Sequence, residues 1–289
     1  MLNELQMERY AEVLLWGLST ARRQRFRPND AVLIRFDPPA MKLAEILYRR
    51  ILEKKMNPVV RMNATADMEQ SFFEIAGDRQ IRFTAPGEDV LYRNLNGSIF
   101  LHAPESLTHL RGIDPKKIGR AAASKKFLKD ILTERESAGL LSWTLCLFPT
   151  EELARQAGLS LLEYTRQVAR ACFLNRIDPV EHWQRVFDRA QSIKTRLNRM
   201  KAVRYRVESE TIDLEVSAGE KRKWVGVSGR NIPSFELFTS PDWRNIRGVF
   251  FADQPSFRSG NYVKGVRLEF RRGRVVRVSA SQGEDFVRS

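Results

Sequence analysis

Residues 30–62 read DAVLIRFDPPAMKLAEILYRRILEKKMNPVVRM, and the spacing inside this stretch decides the fold class. Asp30 to Phe36 is a short apolar run of strand length. Asp37-Pro38-Pro39 ends it, because proline removes a ladder donor and fixes the backbone for a turn. Ala40 to Lys54 then recurs with helical spacing, and Pro58 to Met62 is the next strand. Strand, helix and strand within about 30 residues is the arithmetic of a parallel crossover unit.

The same alternation extends outward. Tyr10, Val13, Leu14, Trp16 and Leu18 predict an opening amphipathic helix over Leu5 to Arg22. Downstream, Met68 to Ala76 reads as a helix and Gly97 to His102 as a strand. A helix opens at Asp114-Pro115 and runs to about Arg135, and Leu140 to Leu147 is a buried strand. The expected fold is α/β, an open, mostly parallel sheet with flanking helices. The first strand leads into Phe36-Asp37-Pro38-Pro39, which contains no glycine, so the phosphate-binding turn of dinucleotide-binding folds is excluded. From Pro149 the chain turns helical, with a capping box at Ser160 and Glu163. A second start at Asp178-Pro179 with Glu181 opens a helix to about Arg199.

Past residue 200 the texture changes to short runs with strand character: 202–207, 211–216, 223–227, 248–251, 263–270 and 274–280, with Gly219, Gly229, Gly260 and Gly273 between or beside them. The expectation is two domains, residues 1–200 in an α/β domain and 201–289 in a β-rich (α+β) domain. With no Gly/Ser linker and no internal repeat, the two are expected to pack closely. Glu284 to Arg288 reads as the first turn of a helix, too short to be stable without tertiary support, so the second domain is expected to be incomplete.

Composition narrows the function classes. A chain with 43% apolar and 29% charged residues is ordinary for a globular protein. No apolar run approaches membrane-spanning length and the first residues carry no basic leader, so a cytoplasmic protein with no membrane partner is expected. Cys146 and Cys172 sit in apolar surroundings and read as small buried hydrophobes. His102, His109 and His182 have no carboxylate or second histidine at a metal-motif interval. The net charge of +14 raises nucleic acid as a partner. Its densest clusters are Lys194, Arg196, Arg199, Lys201, Arg204 and Arg206, then Arg267, Arg271, Arg272, Arg274 and Arg277. No RNA-recognition, helix-turn-helix or zinc-finger pattern accompanies them. They read as solvated faces, with a non-catalytic basic binding module for nucleic acid or an acidic partner as the alternative.

The chemistry concentrates in residues 229–260, GRNIPSFELFTSPDWRNIRGVFFADQPSFRSG, where turn-forming residues surround a single well-placed carboxylate, Glu236. The loop is expected to be rigid, a setting that can hold Glu236 out of solvent without making it part of the core, with Trp224, Phe235, Phe238 and Trp243 packing it. Arg230 and Arg258 are expected on the surface or paired with Asp242 and Asp253, with contact to a peptide or an anion as the alternative.

Asn231, Pro233, Glu236, Phe238, Thr239 and Pro241 resemble the N-x-P-x-x-E-x-F-T-x-P metal loop of thermophilic-type metallo-aminopeptidases, the leucyl aminopeptidase or aminopeptidase T family. The run from Pro149 to Trp183 and the opening from Tyr10 to Asn63 share the resemblance, which therefore spans essentially the whole chain. It implies a homodimeric exopeptidase that removes N-terminal residues from peptides with two divalent metal ions, zinc, cobalt or manganese, and it makes Glu236 the first carboxylate ligand.

It also implies later ligands: another glutamate, two histidines, a tyrosine and an aspartate, one histidine and the aspartate within His-x-Asp. None has a counterpart here, since His102, His109 and His182 precede Ala-Pro, Leu-Arg and Trp-Gln. No motif assigns Asp253 or Tyr262 a role. A two-metal centre needs several donors, so residues 1–289 are expected to be an N-terminal portion that binds metal weakly and is inactive alone, with catalytic and substrate-binding residues unassigned.

Overall fold

The computed structural model describes residues 1–258 and 260–288. In chain order the first elements are α1 (Glu4–Thr20), β1 (Ala31–Phe36), α2 (Met41–Glu53), β2 (Asn57–Met62), α3 (Ala66–Ile75), α4 (Asp78–Ile81), α5 (Glu88–Asn94) and β3 (Leu95–His102). They are followed by α6 (Pro115–Ser124), α7 (Lys126–Ser137), β4 (Ser142–Leu147), α8 (Glu151–Gln156), α9 (Leu161–Ala171) and α10 (Pro179–Arg199). Strands β5 (Arg204–Glu208), β6 (Asp213–Ser217), β7 (Val225–Gly226), β8 (Asn231–Ile232), β9 (Leu237–Phe238) and β10 (Asp242–Ala252) come next. The chain closes with β11 (Ser256–Arg258), β12 (Asn261–Val263), β13 (Val266–Arg271), β14 (Arg274–Ser279) and α11 (Glu284–Arg288).

The chain divides into two compact units. The first comprises Met1–His109, Ile113–Asp188 and Val227–Phe235; the second comprises Leu110–Gly112, Arg189–Gly226 and Glu236–Ser289. The first unit is built on a five-stranded sheet of order β2-β1-β3-β4-β8 in which every neighbouring pair is parallel. Alternate residues of β1 serve two layers, as the two-residue period of a strand requires. Val32, Ile34 and Phe36 join Tyr10, Leu14 and Leu18 of α1 and Leu43, Leu47 and Ile51 of α2 in one core, all nearly inaccessible to solvent. Leu33 points the other way, to Leu95 and Leu141, with Leu91 of α5 and Leu132 of α7 against them. Each such side chain contributes about 1.5–3 kcal/mol when fully buried, so this double-sided burial carries the unit.

Helix starts follow their caps. Asn3 and Gln6 form a capping box at α1, as Ser160 and Glu163 do at α9, and Asp178 accepts the Glu181 amide at 2.8 Å ahead of α10. The helix expected from Asp114 to Arg135 is two helices. The Ser124 hydroxyl donates to the Ala121 carbonyl at 2.8 Å, and the Lys125 amide, which would use that carbonyl in a continuous helix, turns to Ala122 instead. The chain breaks there and restarts as α7.

The second unit carries an antiparallel sheet of order β14-β13-β10-β6-β5. The strand expected at 248–251 is the end of the longer β10, and that expected at 263–270 divides into β12 and β13. Arg272 and Gly273 both take left-handed backbone between β13 and β14, the geometry of a two-residue hairpin that follows strand twist. Opposite charges face each other across these strands: Arg206 and Arg247 are register partners of Glu215, and Arg277 is one of Glu269.

Candidate functional site

The stretch that carries Glu236 is anchored from its amino-terminal side. The Arg230 carbonyl accepts the Leu145 amide at 2.6 Å, and β8 pairs with β4 through Leu145–Asn231 and Cys146–Ile232. The Thr144 hydroxyl donates to the Gly229 carbonyl at 2.8 Å. The buried Tyr10 hydroxyl lies 3.0 Å from the Leu147 carbonyl and 3.4 Å from that of Ile232, linking α1 to both strands. Such a short β8 survives because its neighbours fix it.

Beyond the cis Ile232–Pro233 peptide, the Phe235 ring stacks on Trp183 of α10 with centroids 5.2 Å apart, and meets Phe173 edge-on at 6.2 Å. The chain continues through Glu236 into β9, which pairs with β7 through Gly226–Leu237 and Val225–Phe238. Gly226 sits at φ +122°, and a side chain there would run into the Glu236 carbonyl oxygen, so only glycine permits this close approach. The Gly226 carbonyl in turn accepts the Lys194 ammonium at 2.8 Å. Within the second unit the Glu236 backbone is thus packed directly against Gly226.

The environment of Glu236 differs from the one expected. Its side chain is exposed instead of withheld from solvent, because the loop residues around it turn outward: Phe235 is 54% exposed and Phe238 46%. Phe235 does pack the loop, through Trp183. Trp224 packs on Tyr205, with rings 5.7 Å apart, whereas Trp243 is exposed. Arg230 pairs with Glu136 at 2.6 Å, not with Asp242 or Asp253, and Asp242 is taken by Arg244 at 3.1 Å. Arg258 lies on β11, and the Tyr262 ring packs on Phe257 at 5.1 Å.

All three histidines belong to the first unit. At the carboxyl ends of β1, β2 and β3, where open α/β sheets place ligands, Asp37 accepts from Asn63 at 2.6 Å and from the Ala103 amide at 2.7 Å, with His102 Nδ1 at 3.2 Å. Burial pushes the Asp37 carboxyl up; hydrogen bonds from His102, Asn63 and Ala103 outweigh that and hold it below the usual carboxylate range. A cavity of about 750 Å³ opens beside Asp37, Asn63 and Glu69, and Glu69 is itself bound to His109 at 2.8 Å. His182 stacks on Phe173 at 5.3 Å. Each histidine therefore has a structural partner. The pairs Asp37–His102 and Glu69–His109 gave no signal in the sequence, because their members stand 65 and 40 residues apart.

A protein-family model described as thermophilic metalloprotease (M29) matches residues 3–289. The chain belongs to that family. Among curated M29-like relatives, aminopeptidase PepS of Streptococcus thermophilus is 25% identical over 96% of this chain and 61% of its own. Aminopeptidase T of Thermus thermophilus is 29% identical over 62% of this chain and 48% of its own. For aminopeptidase AmpS of Bacillus subtilis the figures are 27%, 71% and 53%. The chain thus spans about half to three-fifths of the length of these relatives. A solved structure of wild-type AmpT from Thermus thermophilus superposes with a TM-score of 0.78 over 98% of this chain and 73% of that one, at 21% identity, which establishes a common fold.

The M29 family description implies a divalent metal, and the donor set described here does not make a centre for one. Among the described residues no group of three or more His, Cys, Asp and Glu side chains converges to hold an ion. A protease metal needs three or more protein donors with a position left open for water. Glu236 supplies one, and none of His102, beside Asp37, His109, beside Glu69, and His182, stacked on Phe173, converges with two further donors among the described residues. No helix among the described residues is long and apolar enough to cross a membrane.

Proposed function

We propose that residues 1–289 form the scaffold of a divalent-metal aminopeptidase that removes N-terminal residues from peptides, and that Glu236 is its first metal ligand. The observation that carries this reading is the family match across 3–289 together with an exposed carboxylate on a loop anchored at both ends, by Tyr10 and Thr144 before it and by Gly226 after it. The names of the relatives, all aminopeptidases, support the substrate class. A ligand must be accessible to the ion and held by a stiff backbone, and Glu236 meets both conditions.

The same reading assigns the remaining donors to the part of the relatives' length that this chain does not span. Residues 1–289 alone then bind zinc, cobalt or manganese weakly and turn over no peptide. Homodimerisation belongs to the same reading. The rival, a non-catalytic basic binding module for nucleic acid or an acidic partner built on 194–206 and 267–277, is disfavoured by the pairing of Arg204 with Glu215, Arg206 with Asp213, and Arg271 and Arg277 with Glu269.

The test is the intact mass of the protein isolated from its source, joined to an assay for release of the N-terminal residue from an unblocked peptide. A polypeptide longer than 289 residues whose activity is removed by a chelator and restored by one of the three metals supports the reading. A 289-residue polypeptide with no metal-dependent activity would overturn it.

A further inference from the structure

A cluster of cations with no ion-pair partner among the described residues lies in the first unit. Between α1 and β1 the chain reads Ala21-Arg22-Arg23-Gln24-Arg25-Phe26-Arg27-Pro28, and this segment walls a cavity of about 380 Å³. Leu15, Leu18, Phe26 and Met56 contribute apolar surface to the cavity, and Arg23, Arg25, Arg27 and Lys54 bring exposed positive charge to it. These four cations are exposed, and no ion pair engages them among the described residues. The one carboxylate in residues 21–30 is Asp30, which is already taken by Arg22 at 3.4 Å and by the Arg27 amide at 3.0 Å.

Arg22 makes this more than a run of surface charge. Its side chain is only 4% exposed, its guanidinium lies 4.3 Å from the Phe26 ring centroid, and it donates to the Asn96 carbonyl at 2.5 Å. Its Nε is buried without an acceptor. A buried donor left unused is costly and rare, and here it belongs to a residue that lines the cavity. Complementing the carboxyl end of α1 does not account for the whole cluster, since that effect fades within the last turn, and Arg25, Arg27 and Lys54 lie outside it. Other arginines of the first unit do meet carboxylates, as Arg49 and Arg50 meet Glu8. Among the described residues Arg23, Arg25 and Arg27 do not.

We propose that this cavity binds a small soluble organic phosphate. Arg23, Arg25, Arg27 and Lys54 hold the phosphate oxygens, for which the guanidinium fork is suited, and the apolar body of the ligand lies against Leu15, Leu18 and Met56. A cavity of this size suits a ligand of nucleotide dimensions. The site is independent of the peptidase reading.

Equilibrium binding of ATP, used as the probe, tests it on the intact chain. The expected result is one saturable site whose affinity falls as salt rises from about 50 to 200 mM. Inorganic tripolyphosphate should bind more weakly than ATP. The exposed double substitution Arg25→Ala/Arg27→Ala should weaken ATP about tenfold or more, while Arg267→Ala/Arg274→Ala on the second unit changes it less than about twofold. Absence of saturable binding, or equal loss in both double variants, overturns the proposal. Tripolyphosphate binding as tightly as ATP overturns the organic part of the assignment. Sedimentation with phosphatidylserine vesicles in the absence of ATP affinity would show that the charge serves a lipid surface instead.

Discussion

Gly17 of α1 and Gly229, two residues before β8, lie back to back: a Cβ on Gly17 would stand 2.5 Å from the Gly229 carbonyl oxygen, and one on Gly229 would strike the Gly17 backbone. The opening helix and the segment leading to Glu236 thus touch through bare backbone. Gly17→Ala should cost about 1–3 kcal/mol by overpacking. Gly229→Ala should cost more, since its φ of +82° adds about 1–2 kcal/mol of left-handed strain to the clash. Urea unfolding of both variants checks this; a cost near zero for Gly229→Ala would contradict the contact.

The contact also shows what a sequence can and cannot disclose. Strands β1 to β4 were legible as short, mostly apolar runs, α1 from the helical recurrence of its apolar residues, and α9 and α10 from caps written in adjacent residues. Strand β8 was not. Two residues carry no periodicity, and their partners in β4 lie 86 residues away, so only tertiary pairing reveals that Asn231 and Ile232 extend the first sheet. Glu236 was found through the spacing of its prolines and asparagine, while the residues that fix its place, Trp183, Tyr10 and Gly226, are distant or unremarkable in sequence. The basic cavity escaped notice for a related reason: its cations adjoin apolar residues from α1 and from Met56, which only the fold brings together.

Asp37 makes stability depend on pH in a definite direction. Its carboxyl is held below the unfolded value of about 3.9, so its contribution is fully present above that value and is lost as pH falls through the lower folded one. Asp37→Asn should cost about 1–3 kcal/mol at neutral pH, because the Ala103 amide and Asn63 lose their charged acceptor. The variant should also show a shallower loss of stability below about pH 4. Chemical denaturation at pH 3, 5 and 7 measures both; parallel pH profiles for wild type and variant would refute the assignment.

Cys146 and Cys172 are free and buried around the Tyr10 hydroxyl, with Cys172 Sγ 3.4 Å from it. Burial pushes the Cys172 thiol up to about 12 and the Cys146 thiol higher still. Neither is a thiolate at neutral pH, so both should resist a thiol reagent in the native state and react only at the rate of unfolding. Reaction of either thiol within seconds at pH 8 without denaturant would contradict this.

Tyr10→Phe removes the hydroxyl that spans the Leu147 and Ile232 carbonyls and keeps the ring. The expected cost is about 1–3 kcal/mol, and it should be accompanied by faster proteolysis within 229–241, the segment this hydroxyl helps anchor. Unchanged proteolysis would place the anchoring elsewhere.

The most direct test of the peptidase account is release of the N-terminal residue from an unblocked peptide by the protein as produced in its source, compared with the same protein carrying Glu236→Gln. The account predicts wild-type activity that a chelator abolishes and zinc, cobalt or manganese restores, with kcat reduced at least about a hundredfold in the variant. A Glu236→Gln protein with wild-type kcat and metal dependence would contradict it.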